Sequence, residues 1–388
     1  MAPRIYVDHA STTPVVPEVL EAMLPFLGER FGNPSSLHTG GLAAREAVER
    51  ARGSVASLLG VPAEDLVFTS SASESNNLAL KGMAQAAGPG RRSFLAAATE
   101  HISILHPLRT LERQGFGVRL LPVDRHGILD PDDLRRSLTD DTLLVTVAHA
   151  SAEIGTVQPL ADLCRVTHAR GVPLHCDATL TAGILPWPPG PEAPDLVTLT
   201  GHLLYGPQGV AALRVGPGLR IAPQIEGGTQ EGGLRAGSEP VAALAGFGAA
   251  ARLALSEKEG RARRYTSFSA RLWRLLAGKI EGLVLTGHPE RRSPGHLSLC
   301  VRGVDAEAIL RDLDAAGIAA ASGSACTTTV RKPSHVLEAI GLDPVTARGA
   351  LTFSFGETNR DDDDDRVAKV LVRVVERLRA LSPLSRET

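Results

Sequence analysis

Seven short apolar runs punctuate the first 215 residues: 65–69, 93–98, 117–122, 142–148, 172–176, 195–199 and 209–215. Between most of them lie amphipathic segments such as 75–87 and 103–115. Strand-length runs alternating with helical patterns predict an α/β domain built on a largely parallel sheet covered by helices. Ligands on such sheets sit beyond the carboxyl ends of the strands. After about residue 250 the pattern changes. A charged helical stretch over 256–280 is followed by shorter strands and helices. The expected division is a large domain over 15–250, with 1–14 and 251–388 forming a smaller α+β domain.

Composition narrows the function classes. A chain of 388 residues with 43% hydrophobic and 22% charged positions is an ordinary globular protein of two-domain size. A formal net charge of −2 gives no concentrated basic surface for nucleic acid or an acidic membrane. Cys164, Cys176, Cys300 and Cys326 are too scattered for a metal-type pair, and reduced thiols in a cytoplasm are expected. The opening MAPRIYVDHASTTP lacks the pattern of a signal peptide. The Ala-rich 240–255 run is interrupted by Arg252 and reads as a buried helix. The acidic run 361–365 reads as the start of a last helix reaching Leu381, capped by Thr358 or Asn359, rather than as a metal site.

Four stretches carry candidate chemistry. In 66-LVFTSSASESNNLAL-80 a strand ends, small residues follow and a helix begins. That places Ser71, Ala72 and Ser73 where backbone N–H groups point at a bound phosphate, although serines there are more often plain N-caps. His101, in TEH, and Asp177, in HCDAT, each end a strand. His101 reads equally well as a hydrogen-bonded surface imidazole, and a lone Asp is more often a turn residue. Cys326 sits in SGSACTTT, among polar neighbours unlike those of a buried inert thiol, and reads as a nucleophile or sulfur carrier.

Together these motifs, with 31-FGNPSSLHTGG-41, 205-YGPQG-209 and 227-GGTQEGGLRAGS-238, resemble the cysteine desulfurases of the nitrogenase and iron–sulfur-assembly type. The resemblance implies a PLP-dependent transferase of fold type I. It also implies pyridoxal phosphate (PLP) as cofactor, conversion of cysteine to alanine, and transfer of sulfur to a loop cysteine as a persulfide. By position, Ser73, Thr200 and His202 would bind the phosphate, His101 would stack on the ring and Asp177 would pair with its nitrogen. Ser238 would reach the phosphate of a second subunit, implying a homodimer, and Cys326 would carry the persulfide.

The departures fall where the chemistry happens. The resemblance implies a Schiff-base lysine where this chain has Leu203, and an asparagine and a glutamine on the phenolic oxygen where it has Ala152 and Leu180. It implies an arginine on the substrate carboxylate where Thr352 stands, and another where Gly232 stands. None of the five lysines, at 81, 258, 279, 332 and 369, lies in a motif that would replace the missing one. Arg348, four residues before Thr352, is the nearest cation in sequence.

Three readings follow. The first is a protein degenerate for PLP catalysis, acting in sulfur transfer or iron–sulfur metabolism as accessory, relay or regulator through Cys326. It would work with a sulfur acceptor or iron–sulfur scaffold protein, and Cys326 could instead ligate a cluster. The second is an active desulfurase holding PLP without a covalent bond. The third is a non-catalytic structural or binding dimer.

Overall fold

A computed structural model describes residues 4–88, 90–323 and 334–381. After a short N-terminal strand, β1 (Ile5–Tyr6), the seven apolar runs become β2 (Leu66–Thr69), β3 (Ser93–Ala97), β4 (Gly117–Leu121), β5 (Thr142–Ala148), β6 (Leu174–Asp177), β7 (Leu196–Thr200) and β8 (Ala211–Val215). They form one sheet in the order β2-β8-β7-β6-β5-β3-β4. Every pairing from β4 across to β7 is parallel, while β8 runs antiparallel to both β7 and β2. The α/β expectation of a mostly parallel sheet is therefore met.

Helices cover both faces. They are α1 (Pro17–Leu27), α2 (Thr39–Leu59), α3 (Ala72–Ala86), α4 (Ile102–Arg113), α5 (Pro131–Ser137), α6 (Leu160–His168) and α7 (Val241–Ala277). Alternate residues of β3 divide between two cores. Leu95 and Ala97 join the core of α1, α2, α6 and α7, whereas Phe94 and Ala96 join that of α3 and α4. Burial on both faces explains why such strands read as unbroken apolar runs.

Around residue 250 the chain runs through α7, one continuous helix of 37 residues. Arg252 is exposed and bonds Ser54, and the charged stretch carries ion pairs one turn apart, Arg261–Glu257 and Arg263–Glu259. Part of that polarity lies on an outward face, as at Arg263 and Glu259, whereas Arg261 is buried.

Beyond α7, β9 (Leu283–Leu285), β10 (His296–Val301) and β12 (Ala350–Ser354) form an antiparallel sheet with β10 in the middle. The helices α8 (Ala306–Ala315) and α11 (Asp363–Leu381) pack on it, together with Phe268 and Leu272 of α7. The short strand β11 (Ile318–Ala319) pairs in parallel with β1, and α9 (His335–Ala339) and α10 (Pro344–Ala347) complete the chain.

The start of α11 corrects one expectation. Neither Thr358 nor Asn359 caps it: Asn359 Oδ1 accepts from the Gly356 N–H, and its Nδ2 donates to Tyr6 O and Asp363 Oδ2. The Asp363 carboxylate instead accepts from the Arg360 N–H, and Asp364 pairs with Arg271 at 2.7 Å. The acidic run is structural. Among the described residues no group of side chains could hold a metal ion, and no helix is long and apolar enough to cross a membrane.

Candidate active site

The carboxyl ends of β2, β3, β6 and β7 bring the sequence candidates to one edge of the sheet. Ser71 is the N-cap of α3, its side chain accepting from the Glu74 N–H at 3.1 Å, so the plain reading of that serine holds. Glu74 reaches back to the Ser70 N–H, which satisfies a second donor at the helix start. Ala72 opens the helix, and Ser73 is exposed at its N-terminal turn. This end of α3 is an anion-favouring position.

Asp177, at the end of β6, is buried, and both of its oxygens are held. The Thr179 hydroxyl and N–H donate to Oδ1 at 2.7 and 3.1 Å, and Asn76 Nδ2 donates to Oδ2 at 2.9 Å. The same Nδ2 donates to Ser103 Oγ at 2.9 Å. Ser103 in turn contacts His101 Nδ1 at 2.8 Å through its hydroxyl, and its N–H donates to that nitrogen at 3.1 Å. With Nδ1 accepting, the neutral imidazole carries its proton on Nε2. Burial lowers the His101 pKa, opposed by the charge of Asp177.

Asn76 and Ser103 were not singled out from the sequence. The available signal was a polar residue on the buried face of α3, since Asn76 lies one turn from Leu80 on an otherwise apolar stripe. Glu100 was also missed. It is fully buried, accepts from the Ala148 N–H at 2.9 Å through Oε1 and leaves Oε2 without a partner. Burial pushes its pKa up to about 8, the Asp177 charge adding to the rise.

On β7, Thr200 is buried and its hydroxyl donates to Val210 O at 3.2 Å, so it serves the sheet. The turn after it is wound tightly. The N–H groups of Leu204 and Gly206 both donate to Gly201 O, and a Cβ on Gly206 would lie 2.8 Å from that oxygen. Tyr205 leaves the turn at φ 64, anchored by its hydroxyl, which accepts from the Glu357 N–H. This winding presents His202, whose Nδ1 meets Thr12 Oγ1 at 3.2 Å and whose pKa burial lowers. Leu203 is presented beside it, lining a cavity of about 60 Å³ together with Leu180, Ile184 and Leu204.

The remaining replaced positions are equally plain. Ala152 offers only its carbonyl, which pairs with His296 Nε2 at 2.9 Å. Thr352 is buried in β12, its N–H and C=O both bonded to Ala321. Arg348 is exposed at the end of α10, before β12 begins, whereas Thr352 is buried in the middle of that strand. Gly232 takes φ +64 in the turn Gln230–Gly233, a conformation that favours glycine. Ser238 is exposed and lines a broad surface hollow with Phe26, Phe31 and Val241, apart from the other candidates of its own chain. Cys326 and Lys332 lie outside the described residues.

The donor set fits PLP on two of its three sides. An anion-favouring helix end with the exposed Ser73, and a buried carboxylate pinned for a protonated ring nitrogen, are present with His101. The unpartnered Asn76 Oδ1 beside Asp177 leaves further polar capacity there. The side that would hold the aldehyde does not fit a covalent bond, because Leu203 has no amine.

Comparisons with known proteins agree over the whole chain. The family described as aminotransferase class-V matches residues 5–367. A cysteine desulfurase, IscS 1, of Archaeoglobus fulgidus is 43% identical over 98% of this chain and 99% of its own. The cysteine desulfurase IscS of Dictyoglomus turgidum is 39% identical over 100% of this chain and 98% of its own. Among solved structures, one titled NifS-like protein superposes with a TM-score of 0.91 at 31% identity, covering 97% of this chain and all of that one. Another, titled SspA in complex with cysteine, gives a TM-score of 0.80 at 29% identity, covering 91% and 99% of the two chains.

Proposed function

The chain belongs to the class-V aminotransferase family, in its cysteine desulfurase branch, and on that premise we propose that it is a desulfurase-type protein of sulfur metabolism that holds PLP without a covalent bond. The observation that carries this reading is the pinned Asp177. A buried carboxylate fixed by Asn76 and Thr179, next to a neutral His101, suits a protonated aromatic nitrogen. When bound, PLP supplies an electron sink for the amine carbon of a substrate. Ser73 and the α3 N-terminus orient its phosphate, and Asp177 orients its ring.

With Leu203 unable to move a proton, His101 is the ring beside Asp177 that could take part; held with its proton on Nε2 it would donate from that nitrogen, since Nδ1 already accepts from the Ser103 N–H. Burial keeps the imidazole neutral by lowering its pKa. A positioned acid–base group contributes roughly 10²–10⁴ in rate. Restoring the amine by Leu203→Lys is therefore expected to raise alanine formation from cysteine by about that factor.

The relatives, each named for desulfurase activity and matched over their full lengths, favour this working alternative over a chain degenerate for catalysis. One observation favours the second reading, an accessory or relay acting through Cys326. Among the described residues, Leu203, Ala152, Leu180 and Thr352 stand where an amine, two amide side chains and a guanidinium would be needed. Ser238, on an exposed apolar hollow, supports a homodimer in either case. A sulfur acceptor or iron–sulfur scaffold would be its partner.

The deciding experiment is to load the protein with PLP, record its absorbance, treat it with borohydride and map the peptides. Cysteine is then added, and alanine and sulfide are measured. The proposal expects a bound chromophore, no lysine labelled by borohydride in the wild type, labelling at position 203 in the Leu203→Lys variant, and slow alanine release. Absence of bound chromophore overturns it. A bound chromophore with no alanine selects the accessory reading.

A further inference from the structure

One carboxyl touches the chain on both sides of residues 324–333, the stretch that contains Cys326. Glu153 lies in the turn after β5, where the Gly155 N–H donates to Ser151 O at 2.8 Å. On one side it packs against Gly323. A Cβ there would lie 3.0 Å from Glu153 Cδ and 3.1 Å from Oε1, so a larger residue fits only if the carboxyl moves. On the other side it takes a hydrogen bond from the Ser334 side chain. We propose that Glu153 is a positioning residue that joins the two stems of this stretch, 321–323 and 334–335, and so sets how Cys326 is presented for sulfur transfer.

Each stem is also tied to a different element. The first is held to β12, where the Ala321 N–H donates to Thr352 O at 3.2 Å and the Thr352 N–H to Ala321 O at 2.8 Å. The second opens α9. Ser334 Oγ accepts from the N–H groups of Val336 and Leu337 at 3.1 and 3.2 Å, which leaves its single proton for Glu153. His335 Nε2 meets Glu100 O at 2.9 Å, just past the end of β3. One side chain, Glu153, bridges these two anchorages.

The joint is sensitive to charge. The residue is partly covered, but its Oε1 is buried and has no hydrogen-bond partner. Burial pushes the Glu153 pKa up to about 7, and the Ser334 bond opposes the rise. The groups around it add little compensation. On β10, Cys300 is buried, with its own pKa raised to about 12 by burial and then by the charges of Glu153 and Asp343. His296, on the same strand, meets Ala152 O through Nε2, and burial lowers it to about 4. Arg292 donates to the carbonyls of Ile154 and Thr286. From β12 the Thr352 hydroxyl donates to Glu153 O at 3.4 Å, not to the carboxyl.

Protonated, the Glu153 carboxyl is neutral and costs little where it lies. Ionised, it places charge on a buried oxygen without a donor, and water must enter to relieve it. A carboxyl whose pKa is raised by folding contributes stability below its ordinary value, and that stability is lost as pH rises through the raised value. The stems therefore hold together below a pH of about 7 and loosen above it.

Limited tryptic digestion of the full-length protein reads the joint, because Arg331 lies inside the stretch and Lys332, followed by Pro333, resists the enzyme. Cleavage after Arg331 is followed by mass from about pH 6 to about pH 8 and divided by the rate on a free peptide of the same sequence, since cleavage tracks the opened population. The wild-type ratio is expected to rise about threefold or more, with its midpoint near pH 7. Glu153→Gln, which stays uncharged, gives a flat profile. Gly323→Ala, whose Cβ displaces the carboxyl, is cut about threefold faster than the wild type at the acid end, a result that stands even where the glutamine variant does not fold. At the alkaline end, maleimide labels Cys326 faster in the wild type than in Glu153→Gln, Cys164, Cys176 and Cys300 being buried. A flat wild-type profile, a glutamine variant that rises with the wild type, an alanine variant cut no faster, or equal labelling overturns the proposal. It deepens the reading of Cys326 as a sulfur carrier, but digestion and labelling need neither PLP nor cysteine. A protein that shows the joint and releases no alanine therefore fails the desulfurase reading alone.

Discussion

One amide nitrogen of Asn76 holds two groups, Asp177 Oδ2 and Ser103 Oγ, and through Ser103 it fixes the tautomer of His101. Asn76→Leu keeps the size but leaves a buried carboxylate oxygen short of a donor. The expected cost is about 1–3 kcal/mol of stability, read as a lower melting temperature, together with weaker PLP binding in dialysis. A variant that binds PLP unchanged would show that Asp177 is positioned by Thr179 alone. At this scale the sequence exposed the ends of the chain of contacts but not its middle. Asp177 and His101 stand at strand ends, where position implies a role. Asn76 and Ser103 act through side-chain bonds between two helices and a strand, and no local spacing encodes those.

Among the elements, α7 was the least legible. Its apolar first part and charged second part read as two segments, because a change of exposure along one helix and a break look alike in one dimension. What the helix requires is visible at two glycines. A Cβ on Gly248 would sit 2.7 Å from Ala51 Cα of α2, and one on Gly246 would sit 2.7 Å from the Met23 side chain of α1. Gly248→Val forces the helices apart, and overpacking of this kind costs about 1–3 kcal/mol. A lowered midpoint in urea is the expected result, with Gly260→Ala as the control, since a Cβ there meets nothing within 4 Å. The strands of the main sheet were legible for the opposite reason. Burial on both faces of the inner strands leaves few polar residues to blur them, whereas β10 and β12 carry His296, Ser298, Thr352 and Ser354 among their apolar residues and were anticipated only as a class.

Over the whole molecule, buried titratable groups set a pH optimum. Burial lowers His9, His149, His175 and His296 to about 4. The unfolded chain therefore binds more protons between the ordinary imidazole value and pH 4, and stability falls as pH drops through that window. Glu100 and Glu153 are raised to about 8 and about 7. Their contribution is present below the ordinary carboxyl value and is lost as pH rises through those raised values. The four imidazoles outweigh the two carboxyls below the imidazole range, and above it only the carboxyls act. Melting temperature should peak at roughly pH 6.5. Glu100→Gln should flatten the decline on the alkaline side, and an unchanged slope would remove Glu100 as its cause. The pairing of β1 with β11 has a consequence of another kind. Ile5 and Tyr6 find their partners only at Ile318 and Ala319. At about 5–20 residues per second of synthesis, the first strand waits roughly a quarter of a minute to a minute on the ribosome before it can close. Ile5 and Val7 stay exposed throughout, so a nascent chain stalled before β11 presents an unburied apolar N-terminus that chaperones and proteases can reach.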